Sequence, residues 1–175
     1  MGFALFGCSS VKVSDYAQEK PALDLSNYFN GTIDAHGIFT DRSDKVVKRF
    51  KVVIDAKWTV QDGKKVGVLD EAFTYSDGTT QRRVWTLTEI APNRYKGTAS
   101  DVVGEALGEV AGNALNWRYD VTLDMGGTQL EVHFDDWIYR QSEDIAINRA
   151  YVSKFGIEIG SVTIVFLRGK AAAAV

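Results

Sequence analysis

Apolar residues recur at every second position through most of the chain beyond Gly31. Phe50, Val52, Ile54, Ala56, Trp58 and Val60 share one parity, with Lys51, Asp55, Lys57 and Thr59 between them and Val53 the exception. Successive side chains of a strand point to opposite faces, so this run predicts a long strand with one buried face. Gln61-Asp62-Gly63-Lys64 turns the chain into Lys65–Tyr75, where Leu69, Phe73 and Tyr75 share a parity. Ser76-Asp77-Gly78 makes the next turn, Thr80–Ile90 places Trp85 and Leu87 on one face, and Ala91-Pro92-Asn93 leads to Arg94–Ser100. Trp117, Tyr119, Val121 and Leu123 alternate with Arg118, Asp120, Thr122 and Asp124, and Met125-Gly126-Gly127 reads as a hairpin tip. Leu130, Val132, Phe134 and Ile138 alternate with Glu131, His133 and Asp135, before two last strands at Ile145–Phe155 and Ile157–Leu167. An open sheet of so many strands leaves exposed edges, so the expected fold is all-β, a single antiparallel barrel of about 8–10 strands.

Gly104-Glu105-Ala106-Leu107-Gly108-Glu109-Val110-Ala111-Gly112 fits this pattern least well. On a helix its three evenly spaced glycines would each cost roughly 0.8–1 kcal/mol relative to Ala. On a strand, Gly104, Ala106, Gly108, Val110 and Gly112 form one face of mostly small residues. Such a face leaves room for a ligand, a plug or a sharp bend. The strand is the preferred reading.

A length of 175 residues with 45% hydrophobic content fits one domain. Its expected bounds are 24–170, after a leader at 1–8 and a polar tether at 9–23, with a disordered tail at 171–175. The single Cys excludes an intrachain disulfide and any Cys-rich metal site. Two His, His36 and His133, supply no third ligand at metal spacing and read as surface or capping residues, so no metal or other cofactor is expected. A net charge of −3, with bases and acids interleaved, argues against a nucleic-acid partner.

The leader Met1-Gly2-Phe3-Ala4-Leu5-Phe6-Gly7-Cys8 ends like the lipobox of a bacterial lipoprotein, in which the Cys becomes the lipidated N-terminus. Seven residues precede Cys8, so the run reads as the remnant of a signal. The plain alternative is an apolar terminus with an incidental Cys. Myristoylation is set aside because Phe6 stands where that pattern needs Ser or Thr.

Glu71 shares parity with Leu69, Phe73 and Tyr75, and Asp136 with Phe134 and Ile138. A carboxylate on an apolar face is costly unless paired. Arg83, Arg118 and Arg149, each beside aromatic or apolar residues, are the candidate partners. One reading is a structural ion-pair network closing the barrel end. The other is a polar cluster that binds a ligand, with Arg clamping a ligand carboxylate. Trp58, Trp85, Trp117 and Trp137 pack the core in the plainer reading and line an apolar pocket in the other.

Several strings together carry a resemblance: Tyr28-Phe29-x-Gly31; Phe39-x-Asp41-Arg42; Arg49-Phe50; Leu69-Asp70-Glu71-x-Phe73-x-Tyr75-x-Asp77-Gly78; Arg83-x-Trp85; Gly112-Asn113-Ala114-Leu115-x-Trp117-x-Tyr119; Asp135-Asp136-Trp137-x-Tyr139; and Lys154-Phe155-Gly156. Over about Asp24–Arg168 the chain resembles a family of Gram-negative lipoproteins known as a domain of unknown function. The resemblance implies a lipoprotein with a lipocalin-like (calycin) barrel on the periplasmic face of the outer membrane. Association of such members with genes for fatty-acid modification implies a lipid.

The leading expectation is a membrane-anchored barrel that binds or carries a lipid, fatty acid or other apolar small molecule. Its ligand-binding residues would be Glu71, Arg83, Trp85, Trp117, Arg118, Asp136 and Arg149, with Cys8 as the lipidation site. The alternatives are an envelope scaffold with a filled barrel, and an enzyme acting on a lipid with Glu71 or Asp136 as acid or base. No residue is singled out as catalytic beyond that alternative.

Overall fold

The alternating stretches become strands in the computed structural model, which describes residues 10–124 and 127–173. Ten strands follow one another: β1 (Gly31–Asp41), β2 (Val46–Gln61), β3 (Lys64–Tyr75), β4 (Thr80–Ala91), β5 (Arg94–Thr98), β6 (Val102–Ala111), β7 (Ala114–Asp124), β8 (Gln129–Arg140), β9 (Ile145–Lys154) and β10 (Ile157–Leu167). Each pairs antiparallel with its neighbours in sequence, and β1 closes the barrel onto β10. Cys8 and the rest of the leader lie outside the described residues. So do Met125 and Gly126 of the expected hairpin tip and the last two residues of the tail. The tail begins within a short helix, α2 (Gly169–Ala172). Among the described residues no helix is long and apolar enough to cross a membrane.

Inward parity holds along the strands. Val52, Ile54 and Ala56 of β2 are buried, whereas Val60 continues their parity to the hairpin end and is exposed. The Gly104–Gly112 segment is strand, and each of its glycines answers a different need. Gly104, at φ +70, sits within the register shift between Val103 and Leu107, where the ladder bulges. Gly108 faces the ring of its cross-strand partner Trp117. At Gly112, φ +53, the Tyr16 carbonyl leaves no space for a Cβ.

The polar stretch expected as a tether packs on the barrel instead. Trp137 and Tyr139 lie on the outer face of β8, and a 3-10 turn at Val13–Tyr16 covers them. The Tyr16 ring is 6.0 Å from that of Trp137 and 5.3 Å from that of Tyr139. Burying aromatic surface is what draws this short segment onto the wall. The Leu23 N–H then donates to the Gly112 carbonyl at 2.8 Å, and Arg140 Nη1 donates to the Ala22 carbonyl at 2.8 Å.

The chain next crosses one mouth of the barrel as α1 (Leu25–Tyr28), whose N-terminus is capped by Asp24 accepting from the Asn27 N–H. Leu25, Tyr28 and Phe29 are buried beneath it, Phe29 edge-on to Phe166 at 5.2 Å. Arg168 Nη1 donates to the Asn27 and Tyr28 carbonyls at 2.6 and 2.9 Å, and Trp58 Nε1 to the Phe29 carbonyl at 2.6 Å. These bonds satisfy backbone that α1 is too short to satisfy itself. One end of the barrel is therefore shut by the chain's own N-terminal segment.

Candidate functional site

The remainder of the interior is hollow. A cavity of about 860 Å³ runs from Leu25, Phe29 and Phe166 at the shut end to Val47, Lys48, Thr79 and Thr80 at the hairpins of the other end. A filled barrel is thereby ruled out. The volume falls within the ~300–1,000 Å³ of small-molecule sites. Its walls are mostly apolar and aromatic: Phe50 and Phe73 on one side, and Trp85, Trp117, Tyr119 and Phe134 on the other. Trp85 meets Tyr119 edge-on at 5.2 Å, and Tyr119 stacks on Phe134 at 5.1 Å.

The space does not come from the glycine-rich strand, as its small residues had suggested. The Trp117 indole lies over both Gly108 and Gly97 and fills the room they leave. A large ring across from a missing side chain restores the packing of the sheet.

A polar belt interrupts the apolar walls: Glu71 of β3, Arg83 of β4, Asp101 of the β5–β6 turn, Tyr119 of β7, Asp136 of β8 and Asn148 of β9, with Lys48, Tyr75, Gln81 and three threonines also on the lining. Glu71 and Arg83 are direct cross-strand partners. The Arg83 guanidinium is nonetheless engaged elsewhere, its Nε donating to Asp101 Oδ2 at 3.0 Å and its Nη2 to the same oxygen. Asp101 Oδ1 is buried without a hydrogen-bond partner. Asp136 accepts from the Tyr119 hydroxyl at 3.2 Å and from Asn148 Nδ2. Asn148 Nδ2 also reaches the Trp137 carbonyl at 3.1 Å. Glu71 faces the cavity and has no hydrogen-bond or ion-pair partner at bonding distance among the described residues.

The electrostatics follow from this geometry. Burial pushes the Glu71 carboxyl up to about 7; Arg83 pulls it down, while Asp136, Asp101 and Asp70 add to the rise. Burial also raises Asp136 to about 6, against the hydrogen bonds from Asn148 and Tyr119. The Tyr119 hydroxyl is held well above its ordinary value by burial and then by Asp136. For Arg83, burial opposes the charge, but Tyr119, Glu71 and Asp101 outweigh it. The site thus holds one carboxyl poised near neutral pH and facing empty apolar space. It can accept a hydrogen bond from a ligand, hold a positive charge or exchange a proton.

Of the residues expected to bind ligand, Glu71, Arg83, Trp85, Trp117 and Asp136 come together on the cavity. Arg118 and Arg149 do not. Arg118 points out and pairs with Asp135 at 3.4 Å, and Arg149 lies exposed over the Tyr151 ring at 5.4 Å. Both flank inward aromatic or apolar positions and so have outward parity themselves. Arg83, held by Asp101, is not a free clamp for a ligand carboxylate. Trp58 faces inward at the shut end, and Trp137 lies outside the barrel, so neither joins a ring around the cavity. His36 is exposed, and His133 pairs with Asp120 on the surface at 2.7 Å.

Tyr119, Asp101 and Asn148 were missed. Tyr119 shares parity with Trp117, and Asn148 with Ala146, Ala150 and Val152, so inward parity was a usable signal for both. Asp101 sits in a turn, where alternation says nothing. Among the described residues no three His, Cys, Asp or Glu side chains gather as a metal-holding group.

Comparison with solved structures finds the same fold. The chain is similar to the S-type phycobiliprotein lyase CPES of Guillardia theta, at 7% identity and a TM-score of 0.56, over 80% of this chain and 88% of that one. It is also similar to a protein of unknown function from the DUF3598 family of Nostoc punctiforme, at 12% identity and a TM-score of 0.56. That match spans 86% of this chain and 51% of the other. These likenesses are of fold alone, that of the lipocalin-like, calycin-type barrels. No curated protein matches significantly. The family described as protein of unknown function, DUF3833, matches residues 2–168, and the chain belongs to it.

Proposed function

We propose that this protein binds and carries a lipid or other apolar ligand within its barrel. We also propose that a lipid on Cys8 anchors it to the outer membrane, facing the periplasm of a Gram-negative bacterium. The observation that carries the binding reading is the cavity of about 860 Å³, apolar along most of its wall and shut at one end. Transfer of apolar surface out of water contributes roughly 25 cal/mol per Å², enough to hold a hydrocarbon chain without polar contacts.

Native mass spectrometry of the protein after incubation with a lipid extract tests the reading. One bound lipid per chain is expected. Ala150 is buried on the cavity wall, so Ala150→Phe should fill the space and abolish the adduct. Absence of any adduct on the unaltered protein removes the proposal. For the anchor, Cys8→Ala should lose an acyl mass and move the protein from the membrane fraction to the soluble one. An unaltered protein without acyl mass removes that part alone.

The unpartnered Glu71 also supports a second reading, in which it acts as general base on the bound lipid. Recovery of the bound lipid chemically unchanged after prolonged incubation at pH 8 eliminates that reading.

A further inference from the structure

The polar belt in the cavity carries unequal charge. Three carboxyl groups, Glu71, Asp101 and Asp136, share the interior with one guanidinium, that of Arg83, while Lys48 at the open end pairs with Asp77 at 3.3 Å. Asp101 takes that guanidinium, and Asp136 is satisfied by two neutral donors, Tyr119 and Asn148. Glu71 is left facing the void with unfilled acceptor capacity. A ligand that brought its own carboxylate would add a negative charge to an uncompensated site of low dielectric, where like charges repel strongly. A head group that donates hydrogen bonds and carries positive charge does the reverse.

Resting on the reading of the barrel as an apolar-ligand carrier, we infer that the cavity selects a long-chain amine whose ammonium group sits on the Glu71 carboxylate. The hydrocarbon chain lies along the wall made by Phe50, Phe73 and Trp85. Such a pair is a charge-assisted hydrogen bond, stronger than a neutral one. The arrangement discriminates by head group because a mismatched ligand leaves Glu71 buried and unpaired.

The groups facing Glu71 are Arg83 from β4, Asp101 from the β5–β6 turn, Tyr119 from β7, Asp136 from β8 and Tyr75 on its own strand; Asp70 beside it turns outward to Arg82. With Arg83 bound to Asp101, Glu71, raised to about 7, faces the cavity unpaired, while Asp136, raised to about 6, is already held by Tyr119 and Asn148. An ammonium seated there should therefore bind more tightly above that pH.

Isothermal titration of the full chain with decylamine, decanol and decanoate at pH 8 tests the inference. All three share a chain and differ at the head. Decylamine is expected to bind at least tenfold more tightly than decanol, and decanoate more weakly than decanol. Glu71→Gln should remove the advantage of decylamine over decanol. In the unaltered protein the advantage of the amine should shrink at pH 5.5, as Glu71 takes up a proton. Decanoate binding as well as decylamine overturns the inference and leaves the carrier reading standing. An amine advantage that survives Glu71→Gln, or is the same at both pH values, overturns it too. Binding of none of the three removes the carrier reading itself.

Discussion

Glu71 costs the fold something at neutral pH, and the sign of that cost can be worked out. Its ordinary value is 4.5, and burial lifts it to about 7 in the folded chain. Between those values the folded state holds a proton that the unfolded state has released, so stability falls as pH rises through that window. Below about 4.5 both states are protonated and no penalty applies. Asp136, lifted from 3.8 to about 6, acts in the same direction at slightly lower pH. Glu71→Gln removes the larger effect. The variant should come close to the native protein in urea stability at pH 4.5 and exceed it at pH 8, by on the order of 3 kcal/mol. An equal difference at both pH values would show that burial, not ionisation, governs this position.

The strands divide into what alternation reveals and what it hides. β2 is legible because Phe50 to Trp58 keep one parity without a break, and Glu71 and Asp136 stand out for being polar on such a face. Tyr119 and Asn148 obey the same rule and could have been found by it. Arg118 and Arg149 were misplaced because adjacency to aromatic and apolar residues in sequence means the opposite face in a strand. Asp101 was beyond reach, since it arrives at Arg83 through a turn. β6 shows a subtler limit. Its small residues correctly announced a strand, yet the volume they free belongs to Trp117, whose partner position is set by register and not by composition. Gly108→Ala should therefore press a methyl group against the indole and destabilise the protein by about 1–3 kcal/mol. The exposed neighbour change Leu107→Ala should stay within about 0.5 kcal/mol in the same denaturation series. Equal effects at both positions would mean that the Trp117 ring yields freely.

The molecule as a whole is a cup rather than a tube. The antiparallel meander and its closure were legible in strand number alone. The base of the cup was half legible. Asp24-Leu25-Ser26-Asn27-Tyr28-Phe29 reads as one helical turn or an extended plug over the core, and it forms the helical turn that shuts the barrel. The docking of Val13–Tyr16 on the wall left no such sign. Phe29 holds that base against Phe166, and truncating a buried Phe costs about 3–5 kcal/mol. Phe29→Ala should lower stability by that order and let solvent into the far end. Iodide quenching of tryptophan fluorescence would then rise for the Trp58 at the base. Unchanged quenching would show that α1 closes the barrel without Phe29.

If Cys8 carries the proposed lipid, the packed turn at Val13 decides which end of the cup lies near the membrane. It rests against Ala114, the first residue of β7, beside the shut end. Cys8 lies five positions earlier, and an extended chain covers at most about 3.6 Å per residue. A lipid on Cys8 would therefore seat the base within roughly 18 Å of the bilayer that holds it. With that anchor the mouth would look away from the bilayer into an aqueous gap. Cargo would be received from, and surrendered to, a visitor arriving across that gap, and not lifted from the leaflet underfoot.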